Sequence, residues 1–134
     1  VTHAVPVAAR LAGLPHIELH LLPGRGRPTT HAAVGTDTVA ALHDLRADLA
    51  FLATNGISAG FGLTTPDRDE AATKRAIAGA ARRTVVLADS SKIGVETSQR
   101  FAAIEDVDVL ITDDGLAKED RRALEKAGLE VVVA

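Results

Sequence analysis

Short runs of aliphatic and β-branched residues alternate with helical segments along most of this chain, and this alternation restricts the fold more than any other feature. Four of the runs have the length of a strand and stand between segments of helical period. These predicted strands are Leu49–Ala53, Val85–Ala88, Asp108–Thr112 and Glu130–Val133. Because strands that alternate with helices form parallel sheets covered by helices, we predict an α/β fold built on a mostly parallel sheet flanked by helices.

The helical segments are marked by capping residues and by apolar residues at helical spacing. The longest begins at Asp67, which has the spacing of a capping box with Glu70. The predicted helices are Ala4–Ala12, Thr36–Leu45, Asp67–Arg82 and Ala117–Ala127.

Three other segments give weaker patterns. Ile17–Leu22 alternates well enough for a strand, and Pro23–Pro28 is typical of a flexible basic loop. Phe101–Ile104 fits either a short strand or a turn of helix.

The continuous apolar run Leu49–Ala53 is expected to be buried on both faces, as strands of parallel sheets usually are.

Composition limits the kinds of partner that the chain can bind. Only 2% of the residues are aromatic, so stacking of bases on aromatic side chains is nearly excluded, and a net charge of −3 argues against a nucleic-acid-binding surface. The absence of cysteine excludes disulfides and sulfur-ligated metals and is compatible with the cytoplasm, where we expect the protein. No apolar run reaches the roughly 18 residues of a membrane span.

The length suits one domain with a substantial core, since the chain has 134 residues without a linker or repeat. The start shows no signal-peptide pattern. Val1-Thr2 is instead typical of the end of a strand. We therefore expect residues 1–134 to be a single domain that is incomplete at its N-terminus.

Polar residues follow three of the predicted strands at the point where each strand ends. Thr54-Asn55-Gly56 follows the first, Asp89-Ser90-Ser91-Lys92 the second, and Asp113-Asp114-Gly115 the third. In open α/β sheets, ligands bind in the crevice at the carboxyl ends of the strands. The pattern therefore predicts a ligand site before any family is considered.

Each of these clusters has a functional and a structural interpretation. Lys92, together with the hydroxyls and N–H groups that precede it, could bind a phosphate or the hydroxyls of a sugar. Alternatively, Asp89 or Ser90 caps the start of a helix, and Lys92 lies in solvent. Asn55-Gly56 suits a ligand-facing amide or an ordinary tight turn, and the turn is favoured when the pair is taken alone. Asp113-Asp114-Gly115 likewise favours a turn.

Glu70 and Lys74 are four residues apart on the longest predicted helix, in the favourable orientation for an ion pair. Spacing alone favours a surface pair. The two residues would instead reach the rim of the crevice if this helix begins beside the loop that contains Asn55.

The catalytic and metal-binding motifs that we considered are absent from the sequence. The five histidines lack the spacing of zinc ligands, no Gly-x-Ser-x-Gly elbow occurs, and Gly24-Arg25-Gly26 lacks the third glycine of a dinucleotide fingerprint. We expect neither a metal nor a cofactor.

Several short segments along nearly the whole chain match, in the same order, segments that are characteristic of a known protein family. They are Val1-Thr2, Val5-Pro6-Val7-Ala8, Leu22-Pro23-Gly24, Val34-Gly35, Asp48–Leu52, Asn55-Gly56-Ile57, Gly62-Leu63-Thr64, Glu70-Ala71, Lys74-Arg75, Leu87–Lys92 and Asp108–Asp113. Each piece is unspecific alone, but the combination resembles the effector-sensing domain of DeoR/GlpR-type bacterial transcriptional regulators.

This resemblance implies a NagB/RpiA-like fold, that of ribose-5-phosphate isomerase and glucosamine-6-phosphate deaminase. It implies a phosphorylated sugar as effector, a homo-oligomer without a membrane partner, and operator DNA bound only through an N-terminal helix-turn-helix domain that this chain lacks. Compared with the family, we also expect the first strand and helix of the sensor domain, with a phosphate-gripping loop, to be missing, and His3 stands where the family usually has Asn. The site residues carried over are Asn55, Gly56, Ile57, Glu70, Lys74, Asp89, Ser91 and Lys92.

Two other functions stay open. A sugar-phosphate isomerase or deaminase of the same fold needs a positioned general acid and base, and Asp89, Glu70 and Asp113 supply carboxylates. However, the chain lacks the Asp-Gly-Ala-Asp-type and Asp-x-His arrangements associated with those enzymes. The other possibility is a structural module whose binding site has decayed.

Overall fold

Residues 1–45 and residues 46–134 form two separate units in the computed structural model, which describes the whole chain. The first unit contains two helices and a two-stranded antiparallel sheet. Its elements are α1 (Val5–Leu11), β1 (Arg25–Arg27), β2 (Ala32–Val34) and α2 (Thr36–His43). The two helices predicted in this region are confirmed to within two residues at either end.

Two expectations for the first unit are wrong. Ile17–Leu22 is not a strand, because only Leu21 finds a pairing partner, in an isolated bridge to Thr2. The segment predicted as a flexible basic loop instead contains β1, which pairs with β2. The start of this hairpin is held by Thr38, whose hydroxyl donates a hydrogen bond of 2.6 Å to the carbonyl oxygen of Pro23.

The second unit contains the predicted parallel sheet. Four strands pair in the same order as they occur in the sequence, and every pair is parallel. The fold class is therefore confirmed. The elements are β3 (Ala47–Ala53), β4 (Gly56–Ser58), β5 (Gly62–Thr65), α3 (Arg68–Ala80), β6 (Ala81–Leu87), β7 (Gln99–Ala102), β8 (Val109–Thr112), α4 (Lys118–Lys126) and β9 (Glu130–Val133), and the parallel order is β3-β6-β8-β9.

A second sheet, with the order β4-β5-β7, is antiparallel and was not predicted. Its strands have only three or four residues, and two of them begin at glycine, so the sequence shows no clear strand pattern there. Both interpretations of Phe101–Ile104 are partly right: the segment lies at the end of β7 and at the start of the short 3-10 turn Ile104–Asp106.

The core lies on one face of the parallel sheet. Leu52, Val86, Leu110 and Val131 are neighbours in register across the four strands, and all belong to the cluster that also contains residues of α3 and α4. The expectation that β3 is buried on both faces is wrong, because Phe51, on the opposite face, is 60% exposed. The apolar sequence of a strand does not reveal which of its faces the helices cover.

Candidate functional site

Three polar residues stand in one row at the carboxyl edge of the parallel sheet. Ala53, Leu87 and Ile111 are register neighbours on β3, β6 and β8. Each is followed two residues later by a side chain that can accept or donate hydrogen bonds. The three polar residues of this row are Asn55, Asp89 and Asp113.

Of the three candidate residues that follow β3, Asn55 lies in the short connection to β4, and Gly56 and Ile57 begin β4. Asn55 is exposed, and its backbone N–H donates to the carbonyl oxygen of Thr64 at 3.1 Å. Ile57 is fully buried in the core. Gly56 is also buried, and a Cβ at this position would overlap the carbonyl oxygen of Val95. The glycine is therefore required by the close approach of the chain itself.

The segment after Lys92 joins the loop after β3 to the loop after β6. Ile93 forms a parallel bridge with Ile57, and the N–H of Gly94 donates to the carbonyl oxygen of Ile57 at 2.8 Å. Three residues further, the N–H of Thr97 donates to Thr64 Oγ1 at 2.9 Å. Lys92 thus directly precedes Ile93, which pairs with Ile57 in β4, two residues after Asn55.

Asp89 caps a 3-10 turn formed by Ser90–Lys92. Its Oδ1 accepts a hydrogen bond of 3.0 Å from the N–H of Ser91 and a second from the Ser91 hydroxyl. The hydroxyl of Ser91 is the main cause that lowers the pKa of Asp89, with smaller contributions from the Ser91 N–H and the charge of Lys92. The capping interpretation is therefore confirmed, and the carboxylate stays ionised close to the half-buried Lys92.

Glu70 and Lys74 do not form the surface pair that their spacing favoured. Glu70 is only 6% exposed, and its Oε2 accepts a hydrogen bond of 3.2 Å from the hydroxyl of Thr65. The ammonium of Lys74 donates to the carbonyl oxygen of Ala53 at 2.8 Å. Burial lowers the pKa of Lys74, and the negative charge of Glu70 partly offsets this effect. Lys74 therefore reaches the carboxyl end of β3.

The expected turn at Asp113 is present, because Asp113 Oδ1 accepts a hydrogen bond of 2.9 Å from the N–H of Gly115. The sequence analysis missed a second bond, in which Asp113 Oδ2 accepts from the N–H of Ser90 at 2.8 Å. The hydrogen bond from the Ser90 N–H is the main cause that lowers the pKa of Asp113. The only sequence signal for this link is that Asp113 and Asp89 follow neighbouring strands at the same distance.

The site therefore combines cationic, anionic and amide groups at one sheet edge. No group of three His, Cys, Asp or Glu side chains is arranged to hold a metal ion. None of the helices is long and apolar enough to span a bilayer.

A parallel α/β sheet with polar loops at the carboxyl ends of its strands is common to many ligand-binding domains, including those of the NagB/RpiA-like class. Within this class, the family model described as the DeoR C terminal sensor domain matches residues 1–114. The chain belongs to this family of sensor domains from DeoR-type transcriptional regulators, which act on operator DNA.

Comparison with individual regulators agrees with this assignment. The chain is similar to the HTH-type transcriptional regulator GlpR of Haloferax volcanii, with 38% identity over 86% of this chain and 45% of that protein. It is also similar to the putative aga operon transcriptional repressor of Escherichia coli O157:H7, with 28% identity over 99% of this chain and 49% of that protein. The HTH-type transcriptional repressor GlcR of Bacillus subtilis is 27% identical over 99% of this chain and 51% of that protein. The chain spans about half the length of these curated relatives.

Proposed function

We propose that this chain is the effector-binding part of a transcriptional regulator and that it binds a phosphorylated sugar at the carboxyl edge of its parallel sheet. One observation carries the proposal: Ile93 pairs with Ile57, so Lys92 lies near Asn55, which belongs to the row of polar residues at this edge. A phosphorylated sugar needs both a cation for its phosphate and polar groups for its hydroxyls.

In this proposal, Lys92 binds the phosphate, because an ammonium forms strong charge-assisted hydrogen bonds with phosphate oxygens. Asn55, Asp89 and Ser91 bind sugar hydroxyls, since all three side chains are exposed. Gly56 and Ile57 are buried, so they contribute through the backbone at the start of β4.

Glu70 and Lys74 have a different role, because their polar groups are already engaged within the protein. Lys74 binds the Ala53 carbonyl and Glu70 binds Thr65. We propose that this pair lies at the rim of the site, where it holds the end of β3 and supplies an ammonium to the ligand.

In the whole protein, effector binding would control how a helix-turn-helix domain holds its operator. This is supported by the relatives, which are named as regulators and of which the chain spans about half. We propose further that residues 1–134 belong to one sensor domain, and that the regulator is a cytoplasmic homo-oligomer that needs no cofactor.

The proposal does not include turnover. A general base works best when its pKa lies near the operating pH. Hydrogen bonds instead lower the pKa of both Asp89 and Asp113, so neither carboxylate is suited to take up a proton at neutral pH. This property supports a binding site over an isomerase or deaminase active site.

The test is a thermal-shift and calorimetric screen with ribose 5-phosphate and glucosamine 6-phosphate, beside ribose and glucosamine as matched compounds without phosphate. A ligand of the native state at about 100 times its Kd stabilises the protein by about 2.7 kcal/mol. We expect such stabilisation only with a phosphorylated compound. If none of a broad set of sugar phosphates stabilises the protein, the binding proposal is wrong, and a structural module is favoured. A coupled assay that shows turnover of either phosphate would contradict the non-catalytic part.

A further inference from the structure

The carboxylate of Asp113 links the ends of two neighbouring strands. Its Oδ2 accepts from the backbone N–H of Ser90, beyond β6, and its Oδ1 accepts from the N–H of Gly115, beyond β8. The side chain of Ser90 also helps to lower the pKa of this carboxylate. A single ionised side chain therefore satisfies donors on both sides of the junction.

The two loops also pack closely at this junction. A Cβ on Gly115 would lie 2.6 Å from Ser90 Oγ and 2.8 Å from Asp113 Oδ1, so the side chains of Ser90 and Asp113 would have to move to admit it. The absence of a side chain at Gly115 thus lets the turn after β8 contact the first residue of the Ser90–Lys92 turn directly.

Few hydrogen bonds within the Ser90–Lys92 turn fix its orientation. It has three residues and is closed by the bonds from Lys92 N–H to the Asp89 carbonyl, at 3.0 Å, and from Ile93 N–H to the Ser90 carbonyl, at 3.1 Å. Asp89 is engaged inside the same turn, with Ser91. The bond to Asp113 is therefore the charge-assisted contact that ties the start of this turn to the neighbouring strand end.

We propose that Asp113 is a positioning residue of the effector site, whose carboxylate holds the Ser90–Lys92 turn so that Asp89 and Lys92 meet the ligand in a fixed direction. Asp113 itself need not contact the ligand. This inference rests on the proposed function. It assigns a role in binding to a residue that the sequence pattern favoured only as a turn.

The test compares Asp113→Ala and Asp113→Asn with a matched control, Asp114→Ala, which removes the exposed carboxylate next along the chain. Affinities for ribose 5-phosphate and glucosamine 6-phosphate are measured by calorimetry. We expect Asp113→Ala to weaken binding by about ten-fold or more, since it removes a hydrogen bond to a charged group. Asp113→Asn should recover part of the loss, because its amide oxygen still accepts from Ser90. The control should stay within about two-fold of the wild type, as usual for an exposed position.

A second measurement needs no ligand. Hydrogen exchange at the Ser90 amide should become about ten-fold faster in Asp113→Ala and less so in Asp113→Asn, while exchange in the middle of β6 stays unchanged. If Asp113→Ala does not fold, the ligand affinity and the Ser90 exchange rate of Asp113→Asn are compared with those of the wild type.

The outcomes separate this inference from the proposed function. If the wild type binds a sugar phosphate and Asp113→Ala binds it equally well, Asp113 does not position the site. An unchanged exchange rate at Ser90 also overturns the inference. If the wild type binds none of the phosphates, the proposed function fails, but faster Ser90 exchange in Asp113→Ala still supports the positioning of the turn.

Discussion

The ammonium of Lys74 donates a hydrogen bond of 2.8 Å to the carbonyl oxygen of Ala53, the last residue of β3. The same ammonium lies 5.4 Å from the centroid of the Phe101 ring. Helix α3 therefore holds the end of the strand that leads into Asn55. Lys74, for which the spacing favoured a surface ion pair, connects this helix to the sheet edge where we propose that the ligand binds.

The partly buried ammonium of Lys74 predicts a specific dependence of stability on pH. Because the pKa of Lys74 is lowered from its ordinary value of 10.5, the folded protein binds fewer protons than the unfolded chain between the folded-state pKa and 10.5. The free energy of unfolding of the wild type should therefore rise in this window relative to Lys74→Met, which does not titrate. Urea unfolding of both proteins from neutral pH to pH 10.5 measures the difference.

The control for this experiment is Lys126→Met, at an exposed position in the last turn of α4. Urea unfolding of this variant over the same pH range reports how the loss of an exposed lysine affects the free energy of unfolding. If the free energies of unfolding of the wild type and Lys74→Met change in parallel with pH, burial does not lower the pKa of Lys74.

Lys92 should discriminate between ligands with and without phosphate. We expect Lys92→Ala to weaken binding of the phosphorylated sugar by about ten-fold or more, because a hydrogen bond between charged groups is lost. Binding of the sugar without phosphate should change by less than about two-fold. The affinities are measured by calorimetry, and Lys126→Ala is the matched lysine control. An equal loss for both ligands would rule out Lys92 as the phosphate contact.

Gly56, at the start of β4, and Gly60, in the turn between β4 and β5, form a matched pair. A Cβ on Gly56 meets the backbone of Val95, whereas nothing lies within 4 Å of a Cβ on Gly60. Gly56→Ala should therefore lower the free energy of unfolding by about 1–3 kcal/mol, the range for overpacking. Gly60→Ala should change it by less than about 1 kcal/mol, and in the stabilising direction. Similar effects of the two substitutions in urea unfolding would contradict the close approach at Gly56.

The two faces of β3 should respond differently to truncation. Leu52 is 3% exposed and faces the core, whereas Phe51 is 60% exposed on the opposite face. We expect Leu52→Ala to cost about 2–5 kcal/mol of stability and Phe51→Ala less than about 1 kcal/mol. Unfolding by urea distinguishes them. A large cost for Phe51→Ala would mean that the exposed face of this sheet is covered in solution.

The predicted α/β class needed only local patterns. Parallel strands in this chain are contiguous runs such as Val85–Ala88, and the helices between them carry their own caps, as at Asp67. Such signals depend on residues that are close in the sequence, so they can be recognised without knowing which strands pair or where the helices pack. Ile17–Leu22 shows the limit: its alternation is suitable for a strand, but strand formation requires a neighbour that only Leu21 finds.

The same division applies to the candidate site. The sequence by itself determined that polar residues follow the strands and that Asn55, Asp89 and Lys92 belong to such segments. Only the tertiary structure decided that the carboxylate of Asp113 binds Ser90 and that Lys74 binds the end of β3. These contacts join residues about twenty positions apart, and their geometry depends on strand register and helix packing, which no local pattern of residues encodes.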